Sequence, residues 1–241
     1  SFLGEVVKIC VMLAVWMAVY RQRSTIAGFD YPMMVTYLLV SQAVNNVYGF
    51  KNDAERLISK KIMDGSIVFD LLRPVGFVNA RLAENAGQTI LQVAFSGLTL
   101  LGFKLFLPEL SGPSSAAHGL LFIASMCAGF FIMFSVSAMS GLLAFWLMNN
   151  WGLRSAKVAI VNFFSGALVP IAMMPGWMQG VMEALPFKNI VYVPTMIYMG
   201  QYDIKETFVR IGMQIFWAVA MWLLAKALCG LAIRRVSVNG G

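Results

Sequence analysis

The sequence predicts an all-α polytopic integral membrane protein, with six transmembrane helices, a short cytoplasmic amphipathic helix and an outer re-entrant helical hairpin. Three observations lead there. Of the 241 residues, 59% are hydrophobic and only 12% are charged, with a mean hydropathy of +0.75, whereas a soluble domain carries roughly a quarter charged residues. The apolar residues gather in runs long enough to cross a ~30 Å hydrocarbon layer. The Lys and Arg residues fall mostly between those runs and near their ends, as membrane topology requires.

The predicted spans are 2–20, 32–50, 84–107, 117–148, 157–175 and 207–232, forming a single domain over 1–241. The first run carries Glu5 and Lys8 near its start and no small-residue cleavage pattern after it, so it reads as a retained span and not a signal peptide. Because the chain enters this run at once from Ser1, a preceding N-terminal segment is expected. Six spans put both termini on one side. Lys51, Arg56, Lys60, Lys61 and Arg73 in the connection 51–75, Arg154 and Lys157 in 149–157, and Arg234 and Arg235 in the tail make nine cations on that side. Six face them across the membrane: Arg21, Arg23, Lys104, Lys188, Lys205 and Arg210. The positive-inside rule then makes both termini cytoplasmic, in the inner (cytoplasmic) cell membrane. Trp151, Trp177, Tyr192, Tyr198 and Tyr202 stand where the chain leaves apolar spans, as an interfacial aromatic belt does.

The formal charge of +7 is accounted for by this topology, so nucleic acid is not an expected partner, and membrane lipids are. Cys10, Cys127 and Cys229 lie far apart in apolar runs, where cysteine behaves as a small buried hydrophobe. The apolar stretch 171–200 is cut by Pro175, Pro186 and Pro194, following Pro170, into pieces too short to span. Two short helices dipping into the outer leaflet and packing onto the bundle fit it best.

Between the second and third spans, Ala54, Leu57, Ile58 and Ile62 share one helical face while Asp53, Arg56 and Lys60 share the other, and Asp64-Gly65 supplies a stop. A second short segment, 66–72, starts at a potential Ser66 cap and ends before Arg73-Pro74. This amphipathic helix either lies on lipid headgroups or acts as a lever against a cytoplasmic partner. The third span carries a polar stripe of Arg81, Glu84, Asn85, Gln88, Gln92, Ser96 and Thr99, which cannot face lipid. A weaker stripe on the second span holds Tyr37, Ser41, Asn45 and Tyr48. In the fifth, Asn162, Ser165 and Gly166 precede Pro170, which is expected to kink the helix. Interhelical hydrogen bonding and the lining of a path for an amphipathic solute both account for these stripes. In the fourth span Ser125/Gly129 and Ser137/Gly141 invite close helix approach.

No G-x-x-x-x-G-K-[ST] loop occurs, so the usual phosphate cradle is not on this chain. The lone His118, near the outer end of the fourth span, reads as a solvated interfacial residue. The acidic residues are scattered, which disfavours catalysis at a carboxylate or metal cluster.

Three stretches carry a family resemblance. They are Met33-Met34-Val35-Thr36-Tyr37-Leu38-Leu39, then Ile62-Met63-Asp64-Gly65-Ser66-Ile67 running to Leu71-Leu72-Arg73-Pro74, and Ser165-Gly166-Ala167-Leu168-Val169-Pro170 continuing through Pro175 to Leu185-Pro186-Phe187. In this order they resemble the transmembrane subunit of ATP-binding-cassette (ABC) exporters of the type-2 permease class. The resemblance implies a non-enzymatic permease that pairs with itself or a paralogue and recruits two ABC ATPase subunits. No cofactor is implied on this chain; ATP and Mg belong to the partner ATPase. It also makes 51–75 the coupling segment, with Glu55, Arg56, Ile58, Ser59, Lys60, Met63, Asp64 and Gly65 as the ATPase contact. Tyr37, Ser41, Asn45, Tyr48, Gln88, Gln92, Asn162, Ser165 and Pro170 become the candidate substrate path, with spans two and five lining it where two permeases meet. The competing readings are a membrane-embedded lipid-modifying enzyme and a non-enzymatic scaffold or channel.

Overall fold

The computed structural model of the chain describes residues 2–48, 54–72, 76–147 and 151–236. Lys51, Asp53, Arg73 and Pro74 of the sequence reading lie outside the described residues. Ten α-helices follow one another: α1 Phe2–Tyr20, α2 Tyr31–Val47, α3 Ala54–Met63, α4 Ile67–Leu71, α5 Phe77–Phe106, α6 Ala116–Leu142, α7 Trp151–Phe164, α8 Gly176–Ala184, α9 Tyr192–Tyr198 and α10 Ile204–Val236. Among the described residues no strand forms. The membrane-protein class read from composition is thus an all-α one.

Three helical stretches are long and apolar enough to cross a membrane: Phe77–Phe106, Ala116–Phe145 and Ile204–Arg234. The other three predicted spans are shorter helices. In α1 the apolar part is Val6–Tyr20, α2 has 17 residues and α7 has 14. The fifth span, expected at 157–175, is where sequence and structure differ most. Its helix starts earlier, at Trp151, and ends at Phe164 without reaching Pro170. Gly166 adopts φ +76°, the left-handed conformation that closes helices, so the chain is already out of the helix when the proline arrives. Pro170 therefore heads a short 3₁₀ turn, Ile171–Met173, and does not kink a continuing helix.

Two helices form the centre. Along α2 the run from Met34 to Gln42 is buried without interruption, because α1, α5 and α9 pack around it. Helix α6 packs against α3, α9 and α10. Its small residues do what their spacing suggests, but within the chain. A Cβ at Gly129 would lie 2.7 Å from the Tyr48 hydroxyl and 3.3 Å from the Asn189 carbonyl oxygen. Ser125 Oγ donates to Gln214 Oε1 of α10 at 2.9 Å. Peripheral α5 and α10 turn Leu98, Leu101, Phe216 and Leu223 outward, which in a membrane is a lipid-facing surface.

The segment 171–200 contains two short helices, α8 and α9, joined by a 3₁₀ turn at Phe187–Asn189. Helix α9 is buried from Tyr192 to Ile197 against α6 and α2. Tyr192, expected in an interfacial belt, is accordingly a core residue, whereas Trp151 and Trp177 are exposed. Cys10 and Cys127 are exposed and only Cys229 is buried. An apolar helix in lipid has no need to hide a small hydrophobe, which is why the soluble-protein rule for cysteine misplaced two of them.

Gly166 supplies a test of this packing. Alanine there adopts the left-handed conformation at a cost of roughly 1–2 kcal/mol, and its Cβ would meet the Tyr37 hydroxyl at 3.1 Å. Gly166→Ala should lower the thermal unfolding midpoint in detergent. An unchanged midpoint would show that the turn after α7 does not adopt this conformation.

Candidate functional site

The α3–α4 unit is the part of the chain least like a membrane helix. Helix α3 ends at Met63 because Gly65 takes φ +74°, the helix stop expected at Asp64-Gly65. Asp64 Oδ1 accepts hydrogen bonds from the Ser66 backbone N–H at 2.9 Å and the Ser66 hydroxyl at 2.6 Å. The Ser66 hydroxyl, then its N–H, hold the Asp64 carboxyl below its ordinary range, with Lys60 and Lys61 acting the same way. Ser66 thus serves the turn and does not cap α4 with its side chain.

Helix α3 is two-faced, though not as the resemblance implies for every residue. Arg56, Lys60, Met63, Asp64 and Gly65 are exposed, and Ser59 is half-buried. Glu55 and Ile58, expected at a partner contact, point into the bundle at 1% and 0% exposure. Ile58 belongs to the apolar face, packed with Phe134, Ala138 and Leu142. Glu55 is drawn in by a cation. Its carboxylate meets Lys157 Nζ of α7 at 2.5 Å, and Lys157 also donates to Ser137 Oγ of α6 at 3.2 Å. Lys157 is therefore a buried residue of α7, not a solvated loop charge as its position after the fourth span suggested. Gly141 makes this seat: a Cβ there would stand 2.9 Å from both the Glu55 carbonyl oxygen and Ile58 Cβ.

A second charge cluster fastens the other end of the unit. Lys61 Nζ of α3 reaches Asp70 Oδ2 of α4 at 2.5 Å, and Arg81 of α5 lies 3.5 Å from the same oxygen. Arg81 also donates to Glu84 and sits over the Phe77 ring at 5.9 Å. Asp70 and Arg81 are 4% and 6% exposed. Charges this deep persist only when paired, so the two clusters tie α3 to α7 and α6 at one end and to α4 and α5 at the other.

The candidate path residues come together as a closed polar seam. Tyr37 Oη donates to the Gly166 carbonyl at 2.6 Å, and Asn45 Nδ2 donates to Asn162 Oδ1 at 3.2 Å. Tyr48 Oη donates to the Met126 carbonyl at 2.9 Å. Ser41 is fully buried, with Oγ 3.1 Å from the Leu38 carbonyl oxygen. Ser165 Oγ bonds the Asn162 carbonyl at 3.5 Å, and the Ser165 carbonyl accepts from the Tyr192 N–H at 3.0 Å. Pro170 is buried beside them. The carbonyls freed where α7 stops are thus satisfied by donors on α2. Gln42, which no stripe singled out, adds another: Nε2 donates to the Ala167 carbonyl at 2.8 Å while Oε1 accepts from Lys8 at 2.8 Å.

On α5, Gln88 and Gln92 are half-buried, and Gln88 Oε1 is buried without a hydrogen-bond partner. Cavities of about 10 and 20 Å³ border this helix, one between Tyr48, Asn85 and Ser137 and one between Asn46, Ser96 and Thr99. A single water needs roughly 10–15 Å³, so each of these two cavities holds about one water and no larger solute. In the single chain Tyr37, Ser41 and Asn45 of α2 are covered by neighbouring helices.

At the other end of the bundle, Glu183 pairs with Lys188 and lies 3.6 Å from Arg210, which bonds Glu206 at 2.9 Å. His118, expected to be solvated, has partners at both ring nitrogens: Ser115 Oγ at 2.8 Å and the Tyr202 carbonyl oxygen at 3.1 Å. Among the described residues no three of His, Cys, Asp and Glu gather to hold a metal.

Compared with known families, residues 6–240 match the family described as ABC-2 family transporter protein. No curated protein matches the chain, and no solved structure does.

Proposed function

The chain belongs to the ABC-2 transporter family, whose members are the membrane permease components of ABC transporters, and on that premise we propose that it is the permease of an ATP-driven exporter. In this reading two partner ATPases bind and hydrolyse ATP with Mg. This chain, paired with a second permease, carries an amphipathic solute outward across the cytoplasmic membrane.

The observation that carries the proposal is the α3–α4 unit. It presents Arg56, Lys60, Met63, Asp64 and Gly65 outward while buried ion pairs fix it to α5 and α7, and Lys157 ties that pair on to α6. A soft amphipathic helix floating on headgroups would not need Glu55 and Lys157 buried together. A lever would, because a push on its outer face must reach α5, α6 and α7 without being absorbed. The solute path assembles when this closed seam opens against the second permease. The α2 donors that cap the end of α7 hold the state described above.

The direct check is coupled hydrolysis. With the permease and its ATPase reconstituted in nanodiscs, Arg56→Glu with Lys60→Glu should abolish ATPase copurification and the associated hydrolysis. Both residues are exposed, so folding should survive. Normal copurification and normal hydrolysis with both charges reversed would remove the docking assignment.

A further inference from the structure

Helices α6 and α10 pack side by side, joined by the Ser125–Gln214 hydrogen bond, and along their shared outer face the surface opens into a groove of about 420 Å³. Its walls include Ala124, Cys127, Phe131, Ile215, Ala218 and Trp222. The sequence explains the gap: alanines stand at 124 and 218 where flanking turns carry Phe, Leu and Trp, so the ridges of one helix do not fill the grooves of the other. Apart from the Cys127 thiol, every side chain named is apolar.

Depth follows from helix geometry. Both helices begin on the same side of the bundle, since His118 in the first turn of α6 bonds the carbonyl of Tyr202, two residues before α10. At 1.5 Å per residue, Ile215 to Trp222 lie roughly 17–27 Å from the start of α10, and Lys226 lies roughly 33 Å from it, about one hydrocarbon thickness away. Lys226 is exposed, and its Nζ stands 5.2 Å from the centre of the Trp222 ring. Among the described residues no carboxylate contacts it. The groove's other limit, at Ala124 and Ile211, lies roughly 11–12 Å from the helix starts, so an apolar slot runs across the midplane toward the inner side, where a cation stands over its last aromatic wall.

We infer that this groove binds an anionic phospholipid of the inner leaflet, with an acyl chain along Cys127 and Ala218 and the phosphate against Lys226. The inference rests on the membrane-permease reading of the two helices. Charge complementarity selects the occupant, because a free cation at the headgroup boundary calls for an anion. The helices that wall the groove supply none themselves. Helix α6 contains no Asp or Glu, and α10 contains only Glu206, near its opposite end.

Native mass spectrometry of the full chain, released from vesicles of equal phosphatidylglycerol and phosphatidylcholine, tests this. The wild type should retain phosphatidylglycerol preferentially. Lys226→Gln should reduce that preference about fivefold, as expected for one cation near a membrane surface, while still retaining phosphatidylcholine. Ala124→Leu, at an exposed groove position, should lose both lipids. Equal retention of the two lipids by the wild type, or an unchanged preference in Lys226→Gln, would overturn the proposal. So would a loss of dimers in Ala124→Leu with lipid retention intact, which would assign the groove to a second copy. Failure of the chain to remain with the vesicles at all would instead overturn the membrane reading beneath it.

Discussion

Lys157→Met should destabilise the folded protein by roughly 3–5 kcal/mol, the cost of leaving a buried carboxylate without its ion partner. Glu55 is 1% exposed and its carboxylate lies 2.5 Å from Lys157, so water cannot take the cation's place. The double variant Glu55→Gln with Lys157→Met removes both charges and should recover most of the loss, since burying two neutral side chains costs far less than burying one charge. Thermal unfolding in detergent reads both. A single variant as stable as wild type, or a double variant no better than the single, would mean that the pair does not join α3 to α7. Hydrolysis and transport separate the pair's mechanical role from its stabilising one. The recovered double variant should still bind the ATPase through Arg56 and Lys60, with a softer link to α7.

Gly141→Val should push the α3–α4 unit off its seat. The added Cβ would lie 2.9 Å from the Glu55 carbonyl oxygen and 3.0 Å from Glu55 Cα, and backbone atoms cannot swing aside as a flexible side chain can. Overpacking of this kind costs roughly 1–3 kcal/mol. The functional effect should be larger than the loss of stability. Energy passed between two sites is typically only about 1–3 kcal/mol, so a displaced lever forfeits most of it. Hydrolysis by the docked ATPase should persist while nucleotide-driven solute movement falls by about an order of magnitude. Gly97→Ala on α5, where nothing lies within 4 Å of the new Cβ, is the matched control and should leave both unchanged. Equal effects from the two substitutions would remove the seat from the account.

What sequence reasoning reaches is what local chemistry dictates. Helices α1, α6 and α10 start within a few residues of the apolar runs that foretold them. The amphipathic α3, its Asp64-Gly65 stop and the pair of short helices after Pro170 were legible for the same reason, since period and turn residues are local signals. The fifth span was not. Nothing in Asn162-Phe163-Phe164-Ser165-Gly166 tells whether the glycine continues a helix or closes it, and the answer came from the Tyr37 and Gln42 donors waiting on α2.

The site was half legible. The exposed face of α3 follows from the helical wheel. Glu55 turns inward because of a lysine a hundred positions along the chain, which a charge count had assigned to a loop. Asp70 was overlooked likewise, although a carboxylate in a chain so poor in charge is itself a signal to seek its cation. The stripe on α5 was read as unable to face lipid, and the one on α2 as a polar and aromatic lining. Periodicity alone could not choose between a path and a hydrogen-bonded seam; the α2 residues form such a seam in this conformation, while Gln88 Oε1 on α5 has no partner.

The central claim is that the outer face of α3 receives the ATPase. A photo-crosslinking amino acid placed at Lys60, and separately at Trp177 on the opposite end of the bundle, tests it in the assembled transporter. Both side chains are exposed, so neither replacement should disturb the core. The account predicts a crosslink to the ATPase from position 60 and none from position 177. A crosslink from 177 with none from 60 would contradict both the docking surface and the orientation of the chain in its membrane.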